Sequence, residues 1–226
     1  MTSEISFMRQ KDIFNPVNQK FKIVVLGAGS LGSFITLNLA KLGFSNISVY
    51  DYDKVENYNI PNQFYRLDDI SKFKVEALAD IIKQFTGVEI TQKNERVVES
   101  TKFPITTDII YILTFDNLEN RRLFYNIIKD TKCWVIDARA GGEEYNIRVV
   151  DTFDEKDLNS WDKSLNIVPT QLPCGARSII YTNLSIAAEV CNIVKKINND
   201  EEFPKRLVRH MKYYKILGGQ NEEKNC

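Results

Sequence analysis

The segment Lys22–Gly32, KIVVLGAGSLG, constrains this chain more than any other stretch. The apolar run Ile23–Leu26 feeds directly into Gly27-Ala28-Gly29-Ser30-Leu31-Gly32. That order describes a buried strand, a tight turn and the start of a helix. Glycine at 27 and 29 lets backbone N–H groups come close to a phosphate, and the new helix presents its positive end to that phosphate. A second apolar run, NISVYD, closes at Asp51, 51 − 32 = 19 residues past Gly32. A carboxylate there can accept both hydroxyls of a ribose. Gly27, Gly29, Gly32 and Asp51 thus mark a nucleotide site.

The chain has 226 residues, enough for one substantial domain with a buried core, and the reading is a single domain over residues 1–226. Lys+Arg and Asp+Glu both number 30, so no net charge draws the protein to nucleic acid or a membrane surface. Hydrophobic content of 43% argues for a globular fold. No apolar run approaches the ~20 residues of a membrane span. The start, MTSEISFMRQKD, is too polar for a secretory signal, so a cytoplasmic chain is expected. Cys133, Cys174, Cys191 and Cys226 are dispersed without a CxxC pair, which favours neither a zinc site nor a disulfide framework. Cys133 and Cys191 read as inert core residues, and the single histidine, His210, as surface.

Residues 1–20 read as a polar lead-in. Strands are expected at Lys22–Leu26, Ile47–Tyr50, around Glu89–Val98, at Asp108–Leu113 and at Lys132–Asp137, with helices at Leu31–Leu42, Lys74–Phe85 and Asn117–Lys129. This alternation describes a Rossmann-like α/β fold, a mainly parallel sheet with helices on both faces. Past Gly141-Gly142 the rhythm changes. Tyr145–Thr152 alternates like an antiparallel strand, Asp154–Pro173 is polar and irregular within a crossover over 153–176, Arg177–Lys195 is a long helix, and Phe203–Leu217 could add a final antiparallel strand.

Beyond Asp51 the chain runs DYDKVENYNIPNQF to Phe64, then Ser71-Lys72-Phe73-Lys74, and later Thr114-Phe115-Asp116-Asn117 with Arg121-Arg122. This order, DxDxVxxxNxxxQ, then KxK, then an apolar strand ending in Asp-Asn with arginine close behind, resembles the ThiF/MoeB/HesA superfamily over roughly residues 7–197. These adenylylating enzymes are related to ubiquitin-activating enzymes. The resemblance implies an ATP- and Mg2+-dependent adenylyltransferase that joins the carboxylate of a small ubiquitin-like or sulfur-carrier protein, or of a peptide, to AMP and releases pyrophosphate. It implies that Asp51 binds the ribose, that Asp53 belongs to the nucleotide site, and that Asn59 and Gln63 contact the phosphates. By the same resemblance Lys74 stabilises transferring charge and Asp116 holds magnesium. Arg9 corresponds to an arginine that reaches the neighbouring subunit's site, which implies a homodimer.

Each assignment has a plainer alternative. Lys74 beside Lys72 could be solvated, Asp116 could be a helix N-cap, and Arg121 or Arg122 could serve structure alone. The family's arginine before the glutamine is replaced by Asn62, whose amide cannot supply that charge. Arg66, Arg139 in DARAGG, and Arg9 are the candidates to compensate. Cys174 lies in the crossover beside Arg177, where some relatives carry a cysteine that forms a covalent intermediate; it could also simply pack. Two rivals use the same glycine turn: an NAD-dependent oxidoreductase, and a degenerate module that binds nucleotide without chemistry.

Overall fold

The parallel core follows from how its strands divide their side chains. Ile23 and Val25 point to one face of β1 (Lys22–Leu26), Val24 and Leu26 to the other, and all four are at most 2% exposed. A strand buried on both faces needs helices on both faces. The computed structural model describes residues 5–104, 106–167 and 178–213, and the backbone of 215–219. In it β1 is joined by β2 (Ile47–Tyr50), β3 (Thr91–Lys93), β4 (Ile109–Leu113), β5 (Trp134–Gly141), β6 (Glu144–Asp151), β7 (Arg206–His210) and β8 (Lys215–Gly219). The strand order is β3-β2-β1-β4-β5-β6-β7-β8, parallel through β5 and antiparallel from β6 onward.

Helices α1 (Gly32–Leu42), α2 (Lys74–Thr86) and α5 (Ile180–Asn198) cover one face, packed on Ile23, Val25, Ile110 and Ile112. Helices α3 (Leu118–Ile128) and α4 (Glu155–Ser164) close the other face over Val24, Leu26, Tyr111 and Leu113. The expected Rossmann-like architecture is what the chain forms. Because β1 leads to β2 on one side while β4 lies on the other, the strand order reverses between β1 and β4. Open α/β sheets bind ligands at the carboxyl ends of the strands at such a reversal.

Four local expectations need correction. Asp154–Pro173 is not irregular throughout, since Glu155–Ser164 forms α4. Asp154 caps that helix by accepting the Lys156 N–H at 2.8 Å, and the fully buried Trp161 anchors it. One large aromatic on a polar helix leaves too faint a periodic signal to read. The tail is a hairpin of β7 and β8 rather than one strand. The strand expected near Glu89–Val98 shrinks to Thr91–Lys93, an exposed sheet edge. The long helix runs Ile180–Asn198, and Arg177 lies outside the described residues.

The polar lead-in is also partly built into the core. Phe14 is 1% exposed and stacks on Phe44 with ring centroids 5.0 Å apart, while Gln19 donates to the Gly43 carbonyl at 2.6 Å. Cys133 is buried as expected, with its thiol pushed up by burial, and burial pushes the Cys191 thiol up to about 12. His210 pairs with Glu144 across β6 and β7, its Nδ1 2.9 Å from the carboxylate. No described helix is long and apolar enough to cross a membrane.

Candidate active site

The glycine turn sits at the carboxyl end of β1, beside the reversal. Gly27 has φ +107°, a conformation that disfavours any residue with a Cβ. At Gly32 a Cβ would lie 1.8 Å from the Gly27 carbonyl oxygen, so this glycine allows α1 to start against the turn. Around Gly29, in contrast, a Cβ would meet nothing within 4 Å. That open space lies before a helix with no side-chain cap, and leaves room for a phosphate on the first-turn N–H groups. Thr114, at the end of β4, buttresses the turn: its hydroxyl is 2.9 Å from the carbonyls of both Leu26 and Gly27.

Asp51 follows β2 and faces the turn. Its Oδ2 accepts the Ala28 N–H at 2.7 Å and its Oδ1 accepts the Asp53 N–H at 2.8 Å. A carboxylate has about four acceptor positions, so two remain for ribose hydroxyls. Burial raises the Asp51 pKa above the usual carboxylate value, partly offset by Lys74 and these N–H groups. Lys74 opens α2 and is 7% exposed, with Nζ 3.0 Å from the Asp53 carboxylate. Its burial in that pair argues against a merely solvated lysine.

Asp116 follows β4 on the same edge of the sheet and is exposed. It is not the N-cap of α3. Asn117 takes that position, accepting the Asn120 N–H at 2.8 Å and donating from Nδ2 to Asp116 at 3.0 Å. The segment is held by Arg121, a buried guanidinium bonded to Asp137 and to the carbonyls of Phe115 and Ala138. Asp137 also accepts from Arg139 and from Trp161 Nε1 at 2.9 Å. Burial alone would raise the Asp137 carboxyl, but Arg121 and Arg139 outweigh it and hold it below its ordinary range.

Asn59 is buried and shapes the loop rather than opening toward solvent. Its Oδ1 caps the Glu56 N–H at 2.8 Å, and its carbonyl accepts the N–H groups of Asn62 and Gln63. The Oδ-equivalent atom of Gln63, Oε1, is buried without a protein partner. An orphaned buried acceptor is a position that a donor group of a ligand would complete. Neither Arg66 nor Arg139 holds an uncommitted guanidinium. Arg66 binds Asp69 at 2.9 Å and Gln84 at 2.7 Å, and Arg139 binds Asp137 and Ser164. Arg9 lies exposed in the N-terminal segment, next to Gln10, which donates to the Leu42 carbonyl at the end of α1 opposite the glycine turn. Cys174 lies outside the described residues.

With this geometry in hand, comparison with known proteins is decisive for the family. The sequence matches the ThiF family over residues 8–220. The chain belongs to the ThiF family. It is 36% identical over 113 residues to the NEDD8-activating enzyme E1 catalytic subunit of Dictyostelium discoideum, covering 49% of this chain and 26% of that protein. It is 31% identical over 102 residues to the SUMO-activating enzyme subunit uba-2 of Caenorhabditis elegans, covering 44% and 17% respectively. This ThiF chain therefore spans only part of the curated relatives it matches. Among solved structures, E. coli MccB with ATP superposes with a TM-score of 0.71 at 18% identity, covering 90% of this chain and 65% of that one. PaaA gives 0.70 at 18% identity, covering 97% and 85%. At such identities the likeness is one of fold.

Sequence reasoning missed Tyr65, Thr114 and Asn183. Tyr65 donates its hydroxyl to the Ala28 carbonyl at 2.6 Å, and Asn183 of α5 donates to the Asn62 carbonyl at 3.0 Å. Both contacts join residues far apart in the chain, and no local pattern announces them.

Proposed function

We propose that this ThiF-family chain is an ATP-dependent adenylyltransferase that activates a carboxylate as an acyl-adenylate. The carboxylate belongs to a small ubiquitin-like or sulfur-carrier protein, or to a peptide. The reading is carried by one convergence: the glycine turn, Asp51, Lys74 and Asp116 all stand at the carboxyl edge of the sheet around the β1/β4 reversal. An acceptor carboxylate oxygen bonds to the α-phosphorus of ATP as the bond to the bridging oxygen breaks and pyrophosphate leaves. Both partners are anionic, so catalysis consists mainly of placing positive charge and dipoles around the phosphates.

In this reading the α1 start and glycine turn receive a phosphate, Asp51 the ribose, and Gln63 donates from its Nε2 amide to a phosphate oxygen. Lys74 exchanges Asp53 for the charge developing on the α-phosphate and leaving pyrophosphate. Among the described residues no three His, Cys, Asp or Glu side chains cluster to hold a metal. Asp116 alone suits magnesium, a hard cation that commonly takes one or two carboxylates together with substrate phosphates. Bound there, the ion would neutralise triphosphate charge. Arg9 serves the site of a second copy in a homodimer.

A peptide-like acceptor is supported by a groove of about 530 Å³ lined by Gly141, Glu143, Ser178, Tyr181 and Lys212. It opens on the same sheet edge, and Asn183 connects it to the nucleotide loop by bonding both Ser178 and Asn62. Isotope exchange between pyrophosphate and ATP, run with candidate acceptor proteins and peptides, tests the proposal. Acceptor-dependent exchange is expected. Tight NADH binding without ATP binding would overturn it in favour of an oxidoreductase, and ATP binding without exchange would leave a non-catalytic module.

A further inference from the structure

We propose that Tyr65 is a positioning residue, whose hydroxyl sets the spacing between the glycine turn, the loop that carries Gln63 and the head of α2 that carries Lys74. This rests on the adenylyltransferase reading.

The phenol of Tyr65 is 2.6 Å from the Ala28 carbonyl oxygen and 3.4 Å from that of Lys74. A phenol has one proton to give. The short contact takes it, and the Lys74 carbonyl sits at the second, weaker position. Ala28 is held from its other side by Asp51, which accepts its N–H, so the tyrosine completes a clamp on the centre of the turn. The preceding residue adds a second tie. Phe64 donates its N–H to Ser33 Oγ at 3.0 Å, and that hydroxyl donates to the Gly29 carbonyl at 2.7 Å. The two residues following Gln63 are therefore bonded, directly or through Ser33, to the residues that form the phosphate space.

The ring is 8% exposed and belongs to the same apolar core as Val55 and Val75. Burial, with Asp51, Asp69 and Asp53 nearby, pushes the phenol pKa well above 10, so the group remains a donor across the working range. Phenylalanine would keep the packing and remove only the hydrogen bond. A role in packing alone and a role in positioning therefore make different predictions for that one change.

The test uses the full chain carrying Tyr65→Phe, Lys74→Ala or both, assayed by pyrophosphate–ATP exchange. Tyr65→Phe is expected to raise the KM for ATP and lower kcat, together by about tenfold in kcat/KM, in a chain that remains fully folded under the assay conditions although its urea midpoint falls by the loss of one buried hydrogen bond. In a chain already carrying Lys74→Ala, the added loss should shrink to about twofold, because the group being positioned is gone. The same factor in both backgrounds, or wild-type kinetics, would overturn the proposal. Amide hydrogen exchange of the nucleotide-free protein gives an independent reading: segments 27–34 and 72–78 should exchange faster in Tyr65→Phe. Unchanged exchange there would overturn the positioning role even if the enzyme reading stands. A wild-type protein with no ATP binding would overturn the enzyme reading while hydrogen exchange still judges the tie. Should Tyr65→Phe fail to fold, Ser33→Ala, which cuts the second tie, must raise the KM for ATP or the proposal fails.

Discussion

Lys74 Nζ lies 3.0 Å from Asp53 Oδ2, and the Lys74 N–H donates to the Asp53 carbonyl at 2.9 Å. Asp53 in turn gives its N–H to Asp51. One short chain of bonds thus links the Asp51 carboxylate to the lysine at the head of α2. The ammonium is almost buried while its partner carboxylate is half exposed, so triphosphate can compete for the lysine from the solvent side.

Replacement of Lys74 by alanine is expected to lower kcat for pyrophosphate–ATP exchange by about 100-fold or more, the scale of losing one preorganised charge at a reacting phosphate. Arginine should restore only part, because its planar fork does not fill the place of a compact ammonium. Exchange kinetics at saturating ATP check this. A near-wild-type rate in Lys74→Ala would remove the lysine from the mechanism.

Asp116 is exposed, so Asp116→Ala should abolish magnesium-dependent exchange while leaving the unfolding midpoint unchanged. Mixing Arg9→Ala chains with Asp116→Ala chains should restore partial activity if Arg9 serves a second copy, since some mixed dimers then hold one intact site. Absence of rescue in mixed dimers verified by mass would refute the shared site.

Arg121 satisfies Asp137 and main-chain carbonyls from a buried position. Arg121→Ala is expected to cost about 3 kcal/mol, the lower end for breaking a buried pair, because Arg139 and Trp161 still reach Asp137. Lysine should not rescue it, having no fork to span several oxygens. Urea unfolding measures both.

Asp69 adds a pH dependence. Burial pushes its carboxyl up, but Arg66, Lys72 and the Arg66 N–H prevail and hold it at about 2. A carboxyl lowered in the folded state stabilises the protein above its unfolded value of about 4 and loses that contribution as pH falls toward 2. Asp69→Asn should therefore cost at most about 2 kcal/mol at neutral pH, trimmed by solvent because Arg66 and Lys72 are partly exposed. The gap between variant and wild type should close between about pH 4 and 2 in urea titrations. A gap independent of pH would show that the carboxylate charge is not what stabilises the loop.

Much of this was legible in order along the chain. Lys22–Gly32 and Asp51 dictated strand, turn and acceptor, because a buried strand needs an unbroken β-branched run and a phosphate turn needs glycine where φ is positive. The spacing of Asn59, Gln63, Lys74 and Asp116 pointed to a single family. Helix α4 was not legible, since only tertiary burial of Trp161 against Asp137 makes its polar sequence fold. The commitments of Arg66 and Arg139 were equally hidden: each arginine reads as free charge until its carboxylate partner is seen.

The sequence by itself determined the parallel αβ rhythm, the glycine turn and the set of polar groups available to it, because these depend on local backbone preference and residue chemistry. Only the tertiary structure decided which of those groups meet. Tyr65 closing on Ala28, Thr114 bracing the turn and Asp53 taking Lys74 each join segments separated by at least 21 residues. Such contacts form only once burial of the two sheet faces has brought the carboxyl ends of β1, β2 and β4 side by side.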